Sequence, residues 1–467
     1  MTAAVVLEGL AALGAMAELR GGFVRALQKI HDRHGTLVTL SYPRHGRLDG
    51  GRLVLVADPR IAQAVLKDPA RFTSPGTYPR LGPPGCPHRR LREGIILAKG
   101  EAHADQRRRI LPSLAPTAIE AMRPRIKEIC LEETGAWPNG VTVDLVPLVR
   151  RLLRRLSLEL LFRETDFDLG HEVGVTLEQH AALSQSLQAV LLPLDLPGLQ
   201  YRRLMRQAER TEAVLARWIR ERRRGPLHDD MLSRLIAEEE GGALSEAEAA
   251  AQLWTLYGAS FHTMSAALGW LLVLLAQHPD EAERVRASFA DPARRDGATP
   301  RAAHDAIQEA MRLISPVPFQ LRQAVGELTL PHTDLRLRDR DSVVLSALVI
   351  NRGPAFGPDP LAFRPGRWGE LGAAAQSDLL VFSSGPRTCP GRAFAFAVLG
   401  AALEAVWRAW RVRLAPGARL DYRTSITISA RRLPVTLSPQ DGAFEAARAT
   451  GPAIRVSEAL RGPPQSF

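Results

Sequence analysis

The sequence predicts a mainly α protein with small β-sheets, on three observations. Nine helical segments follow one another between residues 101 and 314, separated by short polar or Gly/Pro breaks. Among them, Ala249–Gln277 contains no Asp, Glu, Lys or Arg, the pattern of a helix that is apolar on every side and therefore central. Strand-like runs are short and lie toward the two ends of the chain.

Each element can be justified in order. Residues 1–19 are apolar but interrupted by Glu8 and Glu18, and they read as an N-terminal extension without a signal-peptide pattern. Arg20–Arg33 is amphipathic and helical, and Leu37–Tyr42 and Arg52–Ala57 are strands of a small sheet. Asp58 and Pro59 open a helix as N-cap and first residue. Residues 74–95 carry five prolines and four glycines, a loop long enough to expect function of it. Helices then cover roughly 101–111, 116–135, 145–163, 174–191, 201–223, 229–239, 245–277, 279–290 and 301–314. Leu328–Leu337 and Ser342–Ile350 are strands, and the breakers Arg352-Gly353-Pro354 open an irregular stretch to about Ser384. A last long helix spans Arg392–Arg411, followed by a strand pair at Thr424–Ile428 and Leu433–Leu437. The body of the protein is thus 20–440, and 441–467 is a peripheral polar tail in which Ile454–Val456 could pair as an edge strand.

Composition bounds the function. With 467 residues, 45% of them hydrophobic, the chain has the apolar surface that a disordered protein lacks. Three cysteines (Cys86, Cys130, Cys389) are too few and too scattered for a disulfide scaffold and fit a reducing compartment. The net charge of +11 invites a nucleic-acid reading, but only Lys29, Lys67, Lys99 and Lys127 are lysines, so the basic residues are almost all arginine. They are interleaved with acids, and no zinc-finger, helix-turn-helix or RNA-binding signature accompanies them, so no nucleic-acid partner is predicted. Ala249–Gln277 is long enough to cross a bilayer. Gln252, Thr255, Ser260, His262, Thr263 and Ser265 near its middle favour a buried core helix instead, so no integral membrane segment is predicted.

The chemistry is concentrated in Phe382-Ser-Ser-Gly385-Pro-Arg387-Thr-Cys389-Pro390-Gly391-Arg392. This is a Gly/Pro-rich loop entering a helix with one cysteine at the junction, where helix-end N–H groups favour thiolate. Gly385 and Gly391 let the backbone approach a flat ligand, and Arg387 offers a cation to a carboxylate on it. Pro390 removes an N–H next to the sulfur, which predicts more electron density on the thiolate than an alanine there would leave.

The order Phe–x–x–Gly–x–Arg–x–Cys–x–Gly resembles the haem-binding loop of the cytochrome P450 superfamily, and the resemblance extends over nearly the whole chain. Upstream, Glu309-Ala-Met-Arg312 is similar to the family's Glu–x–x–Arg, and Phe363-Arg-Pro-Gly-Arg367-Trp looks like the segment whose arginine completes a Glu–Arg–Arg network. The resemblance implies the P450 fold, haem b (iron protoporphyrin IX) and Cys389 as its iron ligand. It implies propionate contacts for His103 and Arg107, one helical turn apart, and for Arg322 and Arg387, with Phe382 and Gly391 also against the haem. Ala259-Ser-Phe-His262-Thr263 aligns with the oxygen-activation segment, making Ala259 and Thr263 the face over the iron and Thr263 a proton-delivering hydroxyl.

His262 stands where the family usually has an acid, so it is either a satisfied core histidine or a proton-relay partner titrating near neutrality. By the same resemblance the substrate pocket would be walled by the 74–95 loop, the 174–224 helix pair, Val317, Pro318 and Phe319, and Ile426 and Thr427 within 425–428. Arg80, Arg89, Arg90 and Arg92 could select an acidic substrate, and the apolar linker Leu191–Leu199 could gate entry or brush a membrane, with simple packing as the default.

The implied function is O2-dependent oxidation of a hydrophobic small molecule in bacterial natural-product biosynthesis, terpenoid, fatty-acyl or similar. Oxidative coupling, cyclisation or peroxide-driven oxidation on the same scaffold is the alternative, and a non-catalytic haem-binding module is an alternative of another class. With no flavin or iron–sulfur module in the chain, electrons would come from a separate ferredoxin or flavodoxin with its reductase, docking on a basic face that includes Arg108, Arg109 and Arg392. The expected location is the bacterial cytoplasm.

Overall fold

The computed structural model describes residues 2–44, 47–75, 81–237, 244–291, 298–424 and 426–461. It is mainly α, with one six-stranded sheet and three smaller ones among the described residues. The central helix, Glu246–Ala276, has 22 buried residues and runs through the middle of the largest core cluster. It is long and apolar enough to cross a membrane, yet 72% of its most apolar window is buried inside the protein. Ser245 starts it with a capping box, its hydroxyl accepting from the Glu248 N–H while the Glu248 carboxylate accepts from the Ser245 N–H.

Helices Leu145–Phe162, Phe167–Ser184, Gln200–Arg224, Arg301–Leu313 and Arg392–Ala409 pack around it. Aspartate N-caps start several segments, as Asp58, Asp144 and Asp166 do for the helices that follow them.

The larger sheet runs in the order Val5–Leu7, Leu37–Arg44, Arg47–Val56, Ser342–Leu345, Gln320–Ala324, Phe72–Thr73. Its first strand comes from the expected N-terminal extension, which also supplies the start of a helix at Gly9–His34 that kinks at Gly22. Apolar content there is used for pairing and packing, with Ala12, Ala15 and Leu19 buried.

Three expectations from the sequence are corrected. Thr424–Ile428 and Leu433–Leu437 do not pair with each other: Asp421–Thr424 pairs with Ile428–Arg432 around a turn, while Pro434–Pro439 pairs with Trp410–Leu414 and Thr142–Asp144. Residues 347–350 are a short helix rather than strand. The tail is not peripheral, since Ala453, Ile454, Val456 and Leu460 are buried in two 3₁₀ turns and Gln277 Nε2 donates to the carbonyls of Ala447 (2.6 Å) and Leu460 (3.0 Å). Its apolar residues are sparse in sequence but fall on one side of tight turns, a period that strand and helix templates miss.

Candidate active site

The Cys389 loop is closed by its own backbone, the Cys389 N–H donating to the Phe382 carbonyl at 2.9 Å. Ser383 takes a left-handed φ of 62°, and its hydroxyl donates to Gln320 Oε1 at 2.7 Å, tying the loop to the sheet. Gly385 has φ 69°, and a Cβ there would lie 2.5 Å from the Leu66 carbonyl. Its close approach is thus to the end of the Pro59–Lys67 helix and not, as expected, to a flat ligand. At Gly391 a Cβ would meet only Cys389 Sγ, at 3.8 Å, an ordinary contact.

The exposed surface of Cys389 faces the cavity described below. Burial pushes its thiol pKa up, with the Gly391 N–H and the Arg107 charge pulling it partly back. Because Pro390 has no N–H, the donor that reaches the sulfur is that of Gly391.

Behind the loop, Glu309 accepts from Arg312 Nε and Nη2 at 2.9 and 2.8 Å and from Arg367 Nε at 2.8 Å, with all three side chains fully buried. Arg312 Nη1 also donates to the Asn351 carbonyl, and Asn351 Oδ1 accepts from the Leu380 N–H, both at 2.9 Å. Asn351 thereby links the ion network to the start of the cysteine loop. Sequence reasoning missed it, because an asparagine in an irregular segment carries no periodic signal.

A cavity of about 430 Å³ extends from Cys389 to the central helix. Of the predicted site residues it is lined by Ala259, His262, Thr263, His103, Arg107, Arg322, Arg387, Phe382, Gly391, Val317, Phe319, Ile426 and Thr427. Pro318 does not line it; its carbonyl accepts from the Leu348 N–H at 2.8 Å. Of the expected 174–224 helix pair, only the first helix contributes, through Leu177 and Ala181, while Gln200–Arg224 packs behind it. The loop supplies Ser74 and Ile95, and it can press on the central helix because Gly94 has no Cβ: one there would sit 2.3 Å from Thr255 Oγ1. Arg80 lies outside the described residues. Arg89, Arg90 and Arg92 do not line the cavity, and Arg90 pairs with Glu212 at 2.6 Å, so their expected choice of an acidic substrate is not supported.

Three arginines meet at one edge of this largely apolar space. Arg322 is 7% exposed and donates only to its neighbour's Leu321 carbonyl, and Arg387 donates to the carbonyls of Ile96 (3.2 Å) and Ala98. Among the described residues no carboxylate pairs with either, or with Arg107. Burial, then the nearby Arg387 charge, lowers the Arg322 pKa to about 10. His103 is lowered to about 4 by burial and by Arg387 and Arg107. Cations buried or half-buried without protein anions favour an anion from elsewhere. A thiol facing the same apolar space supplies a soft ligand for iron, so the residues fit a flat iron porphyrin bearing two carboxylates.

On the central helix Ala259 is exposed to the cavity between half-buried Gly258 and Ser260, and the Thr263 hydroxyl donates to the Ala259 carbonyl at 2.7 Å. The His262 ring makes no hydrogen bond with any described residue, and its Nε2 is enclosed. Burial, followed by the Arg150 charge, lowers its pKa to about 4, so it is a neutral imidazole at pH 7 and the expected titration near neutrality is corrected. Beside it lies a cluster that the sequence did not reveal: Glu178 accepts from Arg150 (2.5 Å), Arg154 (2.7 Å) and the Tyr257 hydroxyl (3.0 Å). Arg150 also sits 4.8 Å over the Phe261 ring, which stacks on Tyr257.

Comparison with known proteins agrees with this geometry. The Cytochrome P450 family model matches residues 7–425. The chain is 26% identical over 424 residues to cyclooctat-9-en-7-ol 5-monooxygenase of Streptomyces melanosporofaciens, covering 86% of this chain and 90% of that one. It is 27% identical to cyclooctatin synthase of the same organism, covering 87% and 89%. A solved cyanobacterial P450 with retinoic acid bound superposes with a TM-score of 0.77 at 21% identity, over 93% of this chain and 98% of that one. The chain belongs to the cytochrome P450 family: it is a haem monooxygenase that uses O2 and electrons from a redox partner on a hydrophobic substrate.

Proposed function

We propose that this chain oxygenates a polycyclic terpenoid, with Cys389 as the iron ligand and Thr263 as the proton-delivering hydroxyl. The observation that carries the reading is the single cavity holding the Cys389 thiol, the unmatched cations and the Ala259–Thr263 helix face together. Its remaining wall is mostly aliphatic and aromatic, including Leu161, Leu177, Ala181, Trp254 and Met264, which suits a rigid hydrocarbon. The two Streptomyces relatives, named for cyclooctatin chemistry, support the terpenoid class.

Haem, when bound, supplies the O2 activation. The chain's own residues do the rest. Arg107, Arg322 and Arg387, with His103 as a hydrogen-bond donor, hold the two porphyrin carboxylates. The Glu309 network keeps the cysteine loop rigid through Asn351. Thr263, bonded to Ala259 in this structure, turns its hydroxyl into the cavity to hand over a proton. His262 lines the same face as a neutral group.

Electrons arrive from a separate ferredoxin or flavodoxin. Arg108 and Arg392 are exposed toward solvent, whereas Arg109 is held by Asp105 at 3.1 Å and is largely covered, which narrows the expected basic face. The setting is a bacterial cytoplasm.

The test is the reduced, carbon-monoxide-bound spectrum, followed by turnover of cyclic diterpene alcohols and hydrocarbons under ¹⁸O2. A red-shifted Soret band that disappears in Cys389→Ala, and one labelled oxygen per product, is the expected result. Unlabelled, ring-coupled product would replace oxygenation with oxidative coupling.

A further inference from the structure

The tail after Gln440 is tied to the central helix at one residue. Gln277 caps the C-terminal end of that helix and is 1% exposed. Its Oε1 accepts from the Ala447 N–H at 3.1 Å, and its Nε2 donates to the carbonyls of Ala447 and Leu460. The Ala449 N–H donates to the Arg461 carbonyl at 3.1 Å, so residues 447–461 form a loop whose two ends meet near this glutamine. A buried amide that loses such partners is costly, which fixes the loop to the helix end.

The same loop grips the segment that enters the hairpin of Asp421–Thr424 and Ile428–Arg432. The Thr450 N–H donates to the Ala418 carbonyl at 2.9 Å, and the Leu420 N–H donates to the Thr450 carbonyl at 2.8 Å. The Ala453 N–H then donates to the Leu420 carbonyl at 3.1 Å, and both Leu420 and Ala453 are fully buried. Between them Gly451 has φ 103°, and a Cβ there would collide with the Leu420 carbonyl. Glycine alone allows that backbone at so close an approach.

At its tip the hairpin presents Ile426 and Thr427 to the cavity. Its second strand is held directly: the Ile428 N–H donates to the Pro316 carbonyl at 3.1 Å, and the Ile428 carbonyl accepts from Trp270 Nε1 at 2.9 Å. The base of its first strand is held by the tail. A two-stranded hairpin is marginal by itself. Four strand residues span about 13 Å, so a small tilt at residue 420 becomes a displacement at the tip. The helix that Gln277 caps also carries the Ala259–Thr263 face, so the tail joins two walls of one cavity.

We propose that residues 447–460 position the substrate cavity: Gln277 and Gly451 lock the tail between the central helix and Leu420, and this holds Ile426 and Thr427 in the geometry that a large ligand requires. This role rests on the reading of that cavity as the substrate pocket.

The experiment compares the haem-loaded wild type with Gln277→Ala, Gly451→Ala and the control Leu330→Ala, which removes buried volume in the separate core under the larger sheet. Hydrogen exchange by mass spectrometry reads the amides of 421–432, and spectral titration reads two iron ligands, imidazole and the bulky aryl imidazole econazole. In both tail variants the hairpin amides should exchange at least fivefold faster, through local opening. Econazole, which fills the cavity, should bind at least fivefold more weakly because its wall is no longer preorganised, while imidazole binding stays within twofold of wild type. Leu330→Ala should change neither the exchange nor the ratio of the two affinities, which separates positioning from stability. Unchanged hairpin exchange in both tail variants overturns the proposal. So does equal weakening of the two ligands, or an econazole loss in Leu330→Ala as large as theirs. If Gly451→Ala does not fold, Gln277→Ala decides alone. Exchange needs no iron ligand, so a wild type without the thiolate carbon monoxide spectrum would count against the proposed function and leave exchange to decide the tail's role.

Discussion

Two groups of arginines lie on either side of the cysteine loop and are treated oppositely by the protein. Behind it, Arg312 and Arg367 share the Glu309 carboxylate and several backbone carbonyls, so their charge is answered from within. In front of it, Arg322 is buried and Arg387 half-buried against an apolar cavity, with only carbonyl partners. The first arrangement is complete as folded and serves to hold shape. The second is costly as it stands and becomes favourable only when a ligand brings anions. Arginine identity is the same in both; what distinguishes brace from binding site is whether the fold also buries the counter-charge.

The comparison is broken most severely at Glu309. Glu309→Leu strands two fully buried guanidinium groups and should destabilise the protein by about 3–5 kcal/mol, measured by urea unfolding of the haem-free chain. A loss under about 1 kcal/mol would mean the network is not the brace described. Arg322→Leu should act in the opposite sense on the same chain. Removing a buried unmatched charge should stabilise the haem-free form by on the order of 1 kcal/mol while haem transfer to apomyoglobin becomes faster. A variant both less stable and equally retentive of haem would place Arg322 with the brace.

A third test uses pH. The His262 pKa is about 4 folded against 6.5 unfolded, so the unfolded chain binds protons that the folded chain refuses, and stability falls as pH drops from 6.5 toward 4. Between pH 7.5 and 5.5 this contributes on the order of 1 kcal/mol, and His262→Asn should show a correspondingly smaller loss in thermal melts over that range. An identical pH slope in the two proteins would show the ring is protonated or rearranged when folded. The smallest effect belongs to Pro390→Ala: restoring an N–H beside the sulfur should raise the midpoint potential of the haem iron, read by spectroelectrochemistry. An unchanged or lower potential would leave Gly391 as the only backbone donor that matters.

Local order decided much of this in advance. The capped helix starts at Asp58 and Asp144, the three-residue spacing of Glu309 and Arg312, and the Phe382–Gly391 loop are all properties of a few adjacent residues, so the sequence by itself determined them. The mainly α class was legible for the same reason, because a helical period repeats over many residues.

What only the tertiary structure decided concerns groups brought together from distant positions. Gly385 is needed for the Leu66 carbonyl, Asn351 joins the brace to the loop, and burial, with the Arg150 charge, removes the His262 titration from the neutral range. The exposure of Leu191–Leu196 and the burial of the tail reverse what hydropathy suggested for each. The physical reason is common to all of them: burial, counter-charge and close approach are set by neighbours in space, and a linear pattern records only neighbours in sequence.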